Sequence, residues 1–243
     1  MMAKDYIDQC EGLINELRTI CKISMYNREY SPIAKPPYKV MLFVNSMNWR
    51  MLECSEAALL LMKDDLIIPS SSLIRACWEN MAITFDLKKV VEKYSHEDIT
   101  SKEVDNTLMR ILHANRFESE NRYVGDDTFV LFKEYKATNI LTLITKIEKA
   151  YPQTKDFYTT LCEFVHPNGD AVCGSYSQLD EIKDYTYFGS QQTKDTELFP
   201  AFITTLSVSI SLFLSFIEDI HNNIVAFTNN YEKYLLNNTD TVN

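Results

Sequence analysis

Glycine is scarce in this chain, and this scarcity limits the folds that the chain can adopt. Only five of the 243 residues are glycine, well below the usual share of about 7%. An all-β sandwich or barrel needs many tight turns, and a dinucleotide-binding fold needs a glycine-rich loop. Apolar residues make up 46% of the chain and charged residues 24%, which is typical of globular proteins and excludes wholesale disorder. The sequence therefore predicts a mostly helical protein.

The length and the pattern of apolar residues predict the architecture in more detail. We predict an all-α, up-and-down helical bundle of six to seven helices, with a β-hairpin inserted before the last helix. A single domain is predicted over residues 1–236, with the hairpin at about 171–188 and a polar tail at 237–243. The predicted helices lie at about residues 4–26, 38–63, 70–94, 97–120, 128–150, 154–165 and 197–235.

The charge and the cysteines indicate where such a protein works. The formal net charge is −10, which excludes a broad nucleic-acid surface but not a small basic pocket. The six cysteines form no C-x-x-C pair, and the N-terminus shows no apolar signal-peptide segment. We therefore expect reduced thiols in a cytoplasmic protein.

One segment is apolar enough to cross a membrane. Residues Leu198–Ile217 carry no charge over twenty positions, which is the length of a membrane span. The segment is rich in Ser and Thr, and Glu218-Asp219 follow it directly. We therefore predict a buried helix at the centre of the bundle, with Ser207, Ser211 and Ser215 facing the third helix. A membrane span is the alternative.

Two places in the sequence carry candidate site residues. Arg75 and Glu79 lie four residues apart on an apolar helix, so their side chains are neighbours. Because a lone buried charge is costly, this pair indicates a partly buried site or a structural ion pair between helices. His166 lies at the predicted end of a helix, where free carbonyl groups favour the imidazolium form. Its alternative role is that of a helix C-cap.

These segments together resemble a known family. The helix Arg75-Ala76-Cys77-Trp78-Glu79 and the later run Glu163-Phe164-Val165-His166-Pro167-Asn168-Gly169 resemble a bacterial family of unknown function related to the HEPN superfamily. The resemblance covers about residues 57–189. It implies a helical bundle in which Arg75, Glu79 and His166 meet in one cleft as the catalytic residues. Tyr158 and Asn168 would contact the ligand there.

The resemblance also implies two related functions. The first is a cytoplasmic bacterial protein of the stress or phage-defence type, whose cleft binds a nucleotide, an RNA end or a protein partner. The alternative is a metal-independent ribonuclease, in which His166 acts as general acid and base and Arg75 stabilises the phosphate. HEPN ribonucleases have four to six residues between an Arg and a following His, whereas Arg110 and His113 have two residues between them. We expect a homo-oligomer without a cofactor, a bound metal or a membrane.

A di-metal site is the third function that the sequence allows. Glu163-Phe164-Val165-His166 and Glu218-Asp219-Ile220-His221 are both Glu-x-x-His motifs, and di-metal helical bundles use two of these with two further Glu residues. Glu53, Glu56 or Glu79 could supply the further carboxylates. In ferritin-like chains the single Glu and the Glu-x-x-His helices alternate, whereas here both motifs come last.

Overall fold

The computed structural model describes residues 2–113, 138–167, 169–189 and 197–239. The predicted fold class is confirmed: the protein is an all-α bundle with one two-stranded hairpin before the last helix. The described residues form seven α-helices, at the upper end of the predicted number. Their bounds are α1 Met2–Ile20, α2 Lys35–Lys63, α3 Ile67–Ser95, α4 Ser101–His113, α5 Ile140–Glu148, α6 Thr154–Val165 and α7 Leu198–Thr239.

Prolines lie inside two helices rather than before them. Pro36 and Pro37 belong to the first turn of α2, and Pro69 belongs to the first turn of α3. The amide groups of a first turn have no partner within the helix, so proline costs little there. The helix predicted to begin at about residue 70 therefore begins three residues earlier, at Ile67. Ser70 and Ser71 lie within the helix, where their hydroxyl groups donate to carbonyl oxygens three residues earlier.

The start of α4 also differs from the prediction. Glu97 adopts a left-handed conformation with φ of 62°, so the backbone cannot continue as a helix there. The helix begins four residues later with a capping box: the amide of Glu103 donates to Thr100 Oγ1, and the amide of Thr100 donates to Glu103 Oε2. The predicted segments 114–120 and 128–137 lie outside the described residues.

The chain forms two compact units. Unit 1 comprises Met1–Cys21, Met47–Ala82 and Ile144–Leu214, and unit 2 comprises Lys22–Ser46, Ile83–Leu143 and Ser215–Asn243. Helices α2, α3 and α7 contribute residues to both units. A single domain over residues 1–236 stays a prediction.

Unit 1 packs α3, α6 and α7 together through aromatic side chains. The fully buried Trp78 of α3 donates from Nε1 to the carbonyl oxygen of Thr205 at 3.2 Å. Its ring centroid lies 5.6 Å from that of Phe157 on α6. Phe164 and Phe202 join α6 to α7 in the same way, with centroids 5.1 Å apart. These contacts fix the face of α6 that meets α3.

Unit 2 has its own aromatic and polar contacts. The rings of Tyr94 on α3 and Phe227 on α7 lie 5.1 Å apart. Tyr231 donates its buried hydroxyl to Asp105 Oδ1 of α4 at 2.6 Å. Burial and this carboxylate raise the pKa of Tyr231, so its hydroxyl remains a donor at ordinary pH.

The apolar residues of α7 face inward, but its serines only partly do. Leu206, Ile210 and Phe213 are fully buried, as expected for a helix at the centre of the bundle. Ser211 and Ser215, in contrast, are exposed, so the predicted serine face against the third helix is wrong for these two. Ser211 lies one residue after the buried Ile210, and Ser215 lies one residue before the buried Phe216. A rotation of about 100° per residue turns each serine away from these inward positions. Helix α7 is long and apolar enough to span a membrane, and half of its most apolar part is buried.

The hairpin lies within the predicted range of 171–188. Its strands are β1, Ser177–Asp180, and β2, Tyr185–Phe188, which pair antiparallel with Ser177 opposite Phe188. A short π-helix, Asp170–Gly174, occupies the first part of the predicted range. The side chains of β2 are all exposed.

Candidate functional site

Arg75 and Glu79 form an ion pair on the side of α3 that faces α6. Arg75 Nε lies 3.1 Å from Glu79 Oε1. The two side chains retain 26% and 29% of their solvent exposure, so the pair is partly buried and still reachable by a ligand. The predicted pairing of these two residues is therefore present in the structure.

Tyr158 of α6 completes this arrangement. Its side chain is buried, and its hydroxyl donates to Glu79 Oε1 at 3.0 Å. The Arg75 guanidinium carbon lies 5.8 Å from the centroid of the Tyr158 ring, within the range of a cation–π contact. One carboxylate oxygen thus accepts from both neighbours and holds them together. We call Arg75, Glu79 and Tyr158 the Arg75 cluster.

The charges of the Arg75 cluster follow from these contacts. Burial raises the pKa of Tyr158, and the Glu79 carboxylate raises it further, so the phenol remains a hydrogen-bond donor. Burial alone would lower the pKa of Arg75, but the interactions with Tyr158 and Glu79 outweigh it and raise that pKa. Arg75 therefore carries a permanent positive charge held in a fixed position.

The Arg75 guanidinium has donors to spare. An arginine side chain has five N–H donors, and Glu79 accepts one of them from Nε. Among the described residues, Arg75 has no other polar contact besides Tyr158 and an electrostatic interaction with the thiol of Cys162. The remaining donors suit an anionic ligand that enters from solvent.

His166 lies at the end of a row of side chains on α6. Tyr158, Cys162 and His166 are spaced by four residues, which places them along one face of the helix. At 1.5 Å per residue, His166 lies roughly 6 Å beyond Cys162 along the helix axis. Its backbone amide donates to the carbonyl oxygen of Cys162 at 3.1 Å in the C-cap position, and its side chain is exposed.

The structure therefore brings together part of the predicted site. Arg75, Glu79 and Tyr158 meet, whereas the described contacts include no side-chain hydrogen bond or ion pair from His166 to any of them. That His166 shares their cleft stays a prediction. Asn168, the second predicted ligand contact, lies outside the described residues.

The sequence analysis missed the electrostatic link between Cys162 and Arg75. Cys162 lies one turn after Tyr158 and is half-buried as a free thiol. The four-residue spacing from Tyr158 is visible in the sequence, but it shows only that the two share a face of α6. That this face meets Arg75 depends on the packing of α6 against α3.

The part of the chain that the structure describes contains no cluster of metal-binding side chains. No group of three or more His, Cys, Asp or Glu residues there could hold a metal ion. Glu163 and His166 are exposed near the end of α6, and Glu218 and His221 are exposed on α7. The di-metal alternative stays a prediction that rests on the spacing of the two motifs.

Unit 1 also contains an apolar cavity, which none of the three residues of the Arg75 cluster lines. It has a volume of about 380 Å³ and opens between α6 and the start of α7. Its walls come from different positions of α6 than the row of Tyr158, Cys162 and His166. The lining residues are Phe157, Thr160, Leu161, Pro200, Ala201, Phe202, Thr204 and Thr205.

The chain was also compared with known proteins. It matches no protein-family model, no curated protein and no solved structure at a significant level.

Proposed function

We propose that the Arg75 cluster binds a phosphate-bearing ligand, either a nucleotide or the end of an RNA chain. The observation that carries this proposal is the fixed, partly exposed guanidinium of Arg75. Glu79 and Tyr158 hold it on one side, and its remaining donors match the planar, two-point recognition of a phosphate. Because the guanidinium is already ordered, little side-chain entropy is lost on binding.

The resemblance to the HEPN-related family adds the cellular context of this proposal. A cytoplasmic protein of the bacterial stress or phage-defence type would meet nucleotides and RNA ends as its ligands. A protein partner is the competing ligand class, because an acidic side chain of a partner would also fit Arg75. The charge of −10 favours a ligand that is recognised at its end over one that is bound along its backbone.

A ribonuclease is the second candidate, and the row on α6 favours it. Cys162 is one of the groups that raise the pKa of Arg75, and His166 is the next residue along that row. If a phosphodiester spans from Arg75 to His166, the imidazole is placed to transfer a proton while the guanidinium stabilises the phosphate.

Equilibrium binding tests the leading proposal. A short fluorescent RNA with a 5′-phosphate, the same RNA without it, and AMP are titrated with the protein. We expect the phosphorylated ligands to bind and the unphosphorylated RNA to bind at least tenfold more weakly. Arg75→Gln should lower the affinity at least tenfold, and Arg75→Lys should lower it too, because lysine keeps the charge but lacks the two-point geometry.

Arg18→Gln is the matched control. It removes the same charge from an exposed ion pair with Glu56, so its affinity should equal that of the wild type. Thermal unfolding shows whether each variant is folded. If Arg75→Gln does not fold, Arg75→Lys alone tests the proposal. Equal binding of phosphorylated and unphosphorylated RNA, or unchanged binding by Arg75→Lys, contradicts the proposal.

Cleavage of the same RNA in the presence of EDTA tests the ribonuclease. Loss of cleavage in His166→Ala, with binding retained, would assign a catalytic role to His166. If the protein binds the RNA without cleaving it, the Arg75 cluster is a binding site and the ribonuclease hypothesis is wrong.

A further inference from the structure

A second cavity, in unit 2, is larger and of a different chemical character. Its volume is about 630 Å³, within the usual range of small-molecule sites. It is formed by the segment before α2, by the first two turns of α2 and by the end of α4. Asn27, Arg28, Ser31, Pro32, Ile33, Ala34, Lys35, Tyr38, Lys39, Leu42 and Leu112 line it.

The floor of this cavity is apolar and partly open to solvent. Ile33 retains 50% of its exposure and Leu42 retains 42%, although both are large aliphatic side chains. Tyr38 and Leu112 also belong to the lining. Covering this surface would release water from apolar atoms, which favours a ligand with an apolar body.

Three cations also line the cavity. Arg28 and Lys35 are exposed, and Lys39 is half-buried one turn after Lys35 on the same face of α2. Among the described residues, none of these three forms an ion pair or a side-chain hydrogen bond. Other cations of the chain do, such as Lys22, which pairs with Glu29 at 3.1 Å.

The acidic groups near the cavity do not cancel this positive charge. Glu232 approaches the wall at Ser31, whose hydroxyl donates to it. The same hydroxyl oxygen accepts from the amides of Ile33 and Ala34, so Glu232 is engaged in holding the turn that precedes α2. Glu29, next to Arg28, is paired with Lys22. Among the described residues, the three cations of the lining therefore face no carboxylate that pairs with them, in a chain whose net charge is −10.

We propose that this cavity is a binding site for an amphipathic organic anion, in which an acidic headgroup is joined to an apolar body. The headgroup, a carboxylate or a phosphate, is held by Arg28, Lys35 and Lys39. The apolar body lies on Ile33, Leu42 and Leu112. The positive end of the α2 helix dipole lies at the same end of the cavity and adds to the attraction for an anion.

The site is independent of the Arg75 cluster, because every residue that lines it belongs to unit 2. A ligand of this class differs from the one proposed for unit 1, since it needs an apolar body as well as an anionic group. The two proposals can therefore fail separately.

Calorimetric titration with four ten-carbon probes tests the proposal. Decanoate and decyl phosphate carry the headgroup, decanol lacks the charge, and decyltrimethylammonium reverses it; all are used below their micelle concentrations. We expect one molecule of each anion per chain, binding at least tenfold more weakly for decanol, and none for the cation. The stronger of the two anions identifies a carboxylate or a phosphate ligand.

Leu42→Glu and Lys39→Gln are the informative variants. Leu42→Glu places a carboxylate on the cavity floor and should lower the affinity for both anions at least tenfold, and Lys39→Gln should lower it severalfold. Leu60→Glu is the matched control, because Leu60 is 61% exposed on the same helix and does not line the cavity. Arg75→Lys should leave this binding unchanged.

Three outcomes would overturn the proposal. These are equal affinity for decanol and decanoate, uptake of many molecules per chain without saturation, and binding that Leu42→Glu and Leu60→Glu change to the same extent. Each would show that the probes adsorb to apolar surface rather than enter a charged site.

Discussion

Glu79 shows how a single side chain organises the candidate site. Its Oε1 atom accepts from Arg75 Nε and from the Tyr158 hydroxyl, so the carboxylate joins α3 to α6. A buried or half-buried charge that lacks such partners is costly. The pair with Arg75 was predictable from a spacing of four residues, because that spacing brings side chains together on any helix.

The partner on α6 was not predictable in this way. Tyr158 lies 79 residues after Glu79, and nothing in the local sequence specifies which tyrosine reaches it. The family resemblance implied Tyr158 as a ligand contact, and this stays a prediction. The structure shows Tyr158 buried and donating to Glu79, so it positions the carboxylate and the guanidinium.

Cys10 carries a testable pH dependence. The side chain is fully buried in α1, and this burial raises the pKa of its thiol from 9.0 to about 11, although a hydrogen bond with Ser207 opposes the shift. In the unfolded chain the thiol ionises at its ordinary pKa. The stability that depends on Cys10 is therefore fully present below pH 9 and is lost as the pH rises towards 11.

We expect the free energy of unfolding to fall between pH 9 and 11, with Cys10 accounting for about 2 kcal/mol. Urea unfolding of the wild type and of Cys10→Ala at several pH values measures this, and Cys10→Ala should show a shallower fall. Cys173→Ala, at an exposed thiol, is the control and should follow the wild type. Parallel curves for wild type and Cys10→Ala would show that Cys10 does not contribute.

At the scale of single elements, the sequence predicted the helices better than their ends. The predicted bounds of α6, 154–165, agree with the structure. Because Pro167 cannot continue a helix, α6 has to end directly before it. The prediction placed the prolines before α2 and α3, whereas Pro36, Pro37 and Pro69 lie in the first turns. A proline is unfavourable in the interior of a helix but is tolerated in the first turn. It therefore narrows the range of possible helix starts without identifying the first residue.

Helix α7 shows which residues of an amphipathic pattern predict the buried face of a helix. Its large apolar residues predicted the buried face, since burying them is strongly favourable. Its serines did not predict a face, because a hydroxyl group on a helix is satisfied by the carbonyl oxygen of an earlier turn. Ser209, which is buried, donates in this way to Leu206, whereas Ser211 and Ser215 are exposed.

Ile210 tests the packing of α7. We expect Ile210→Asp to abolish the cooperative unfolding transition, since a buried, unpaired charge costs several kcal/mol against a total stability of about 5–15 kcal/mol. Val225→Asp on the same helix, where 66% of the side chain is exposed, should change the stability by about 0.5 kcal/mol or less. Circular dichroism during urea unfolding measures both.

Ile210→Ala keeps this test quantitative if the aspartate variant does not fold. Removing the buried aliphatic group should lower the free energy of unfolding by about 2–5 kcal/mol. A smaller effect for both Ile210 variants than for Val225→Asp would mean that this face of α7 is not packed.

For the molecule as a whole, composition predicted the fold class. With five glycines in the chain, a β-rich fold was excluded, and the described residues form helices apart from one hairpin. The division into two compact units was not predicted. It depends on which parts of the long helices α2, α3 and α7 pack together, and no proline, glycine or polar linker marks these places in the sequence.

The last prediction concerns the solubility of the whole protein. Helix α7 meets the length and composition of a membrane span, but residues along it are buried against the rest of the protein, with Phe202, Ile203 and Phe216 at most 1% exposed. In a bilayer these side chains would face lipid, and the neighbouring helices would lose the core they cover. We therefore expect the protein to fold and to stay in solution without a membrane.

Fractionation of expressing cells measures this. The protein should remain in the supernatant after ultracentrifugation without detergent and should elute as one species on size exclusion, where light scattering also gives the mass of the predicted homo-oligomer. Adding a mild detergent should leave the elution volume unchanged, because α7 is already covered by protein. If the protein instead sediments with the membranes, withstands a high-salt wash and is released only by detergent, α7 lies in the bilayer and the buried face of this helix is a lipid-facing one.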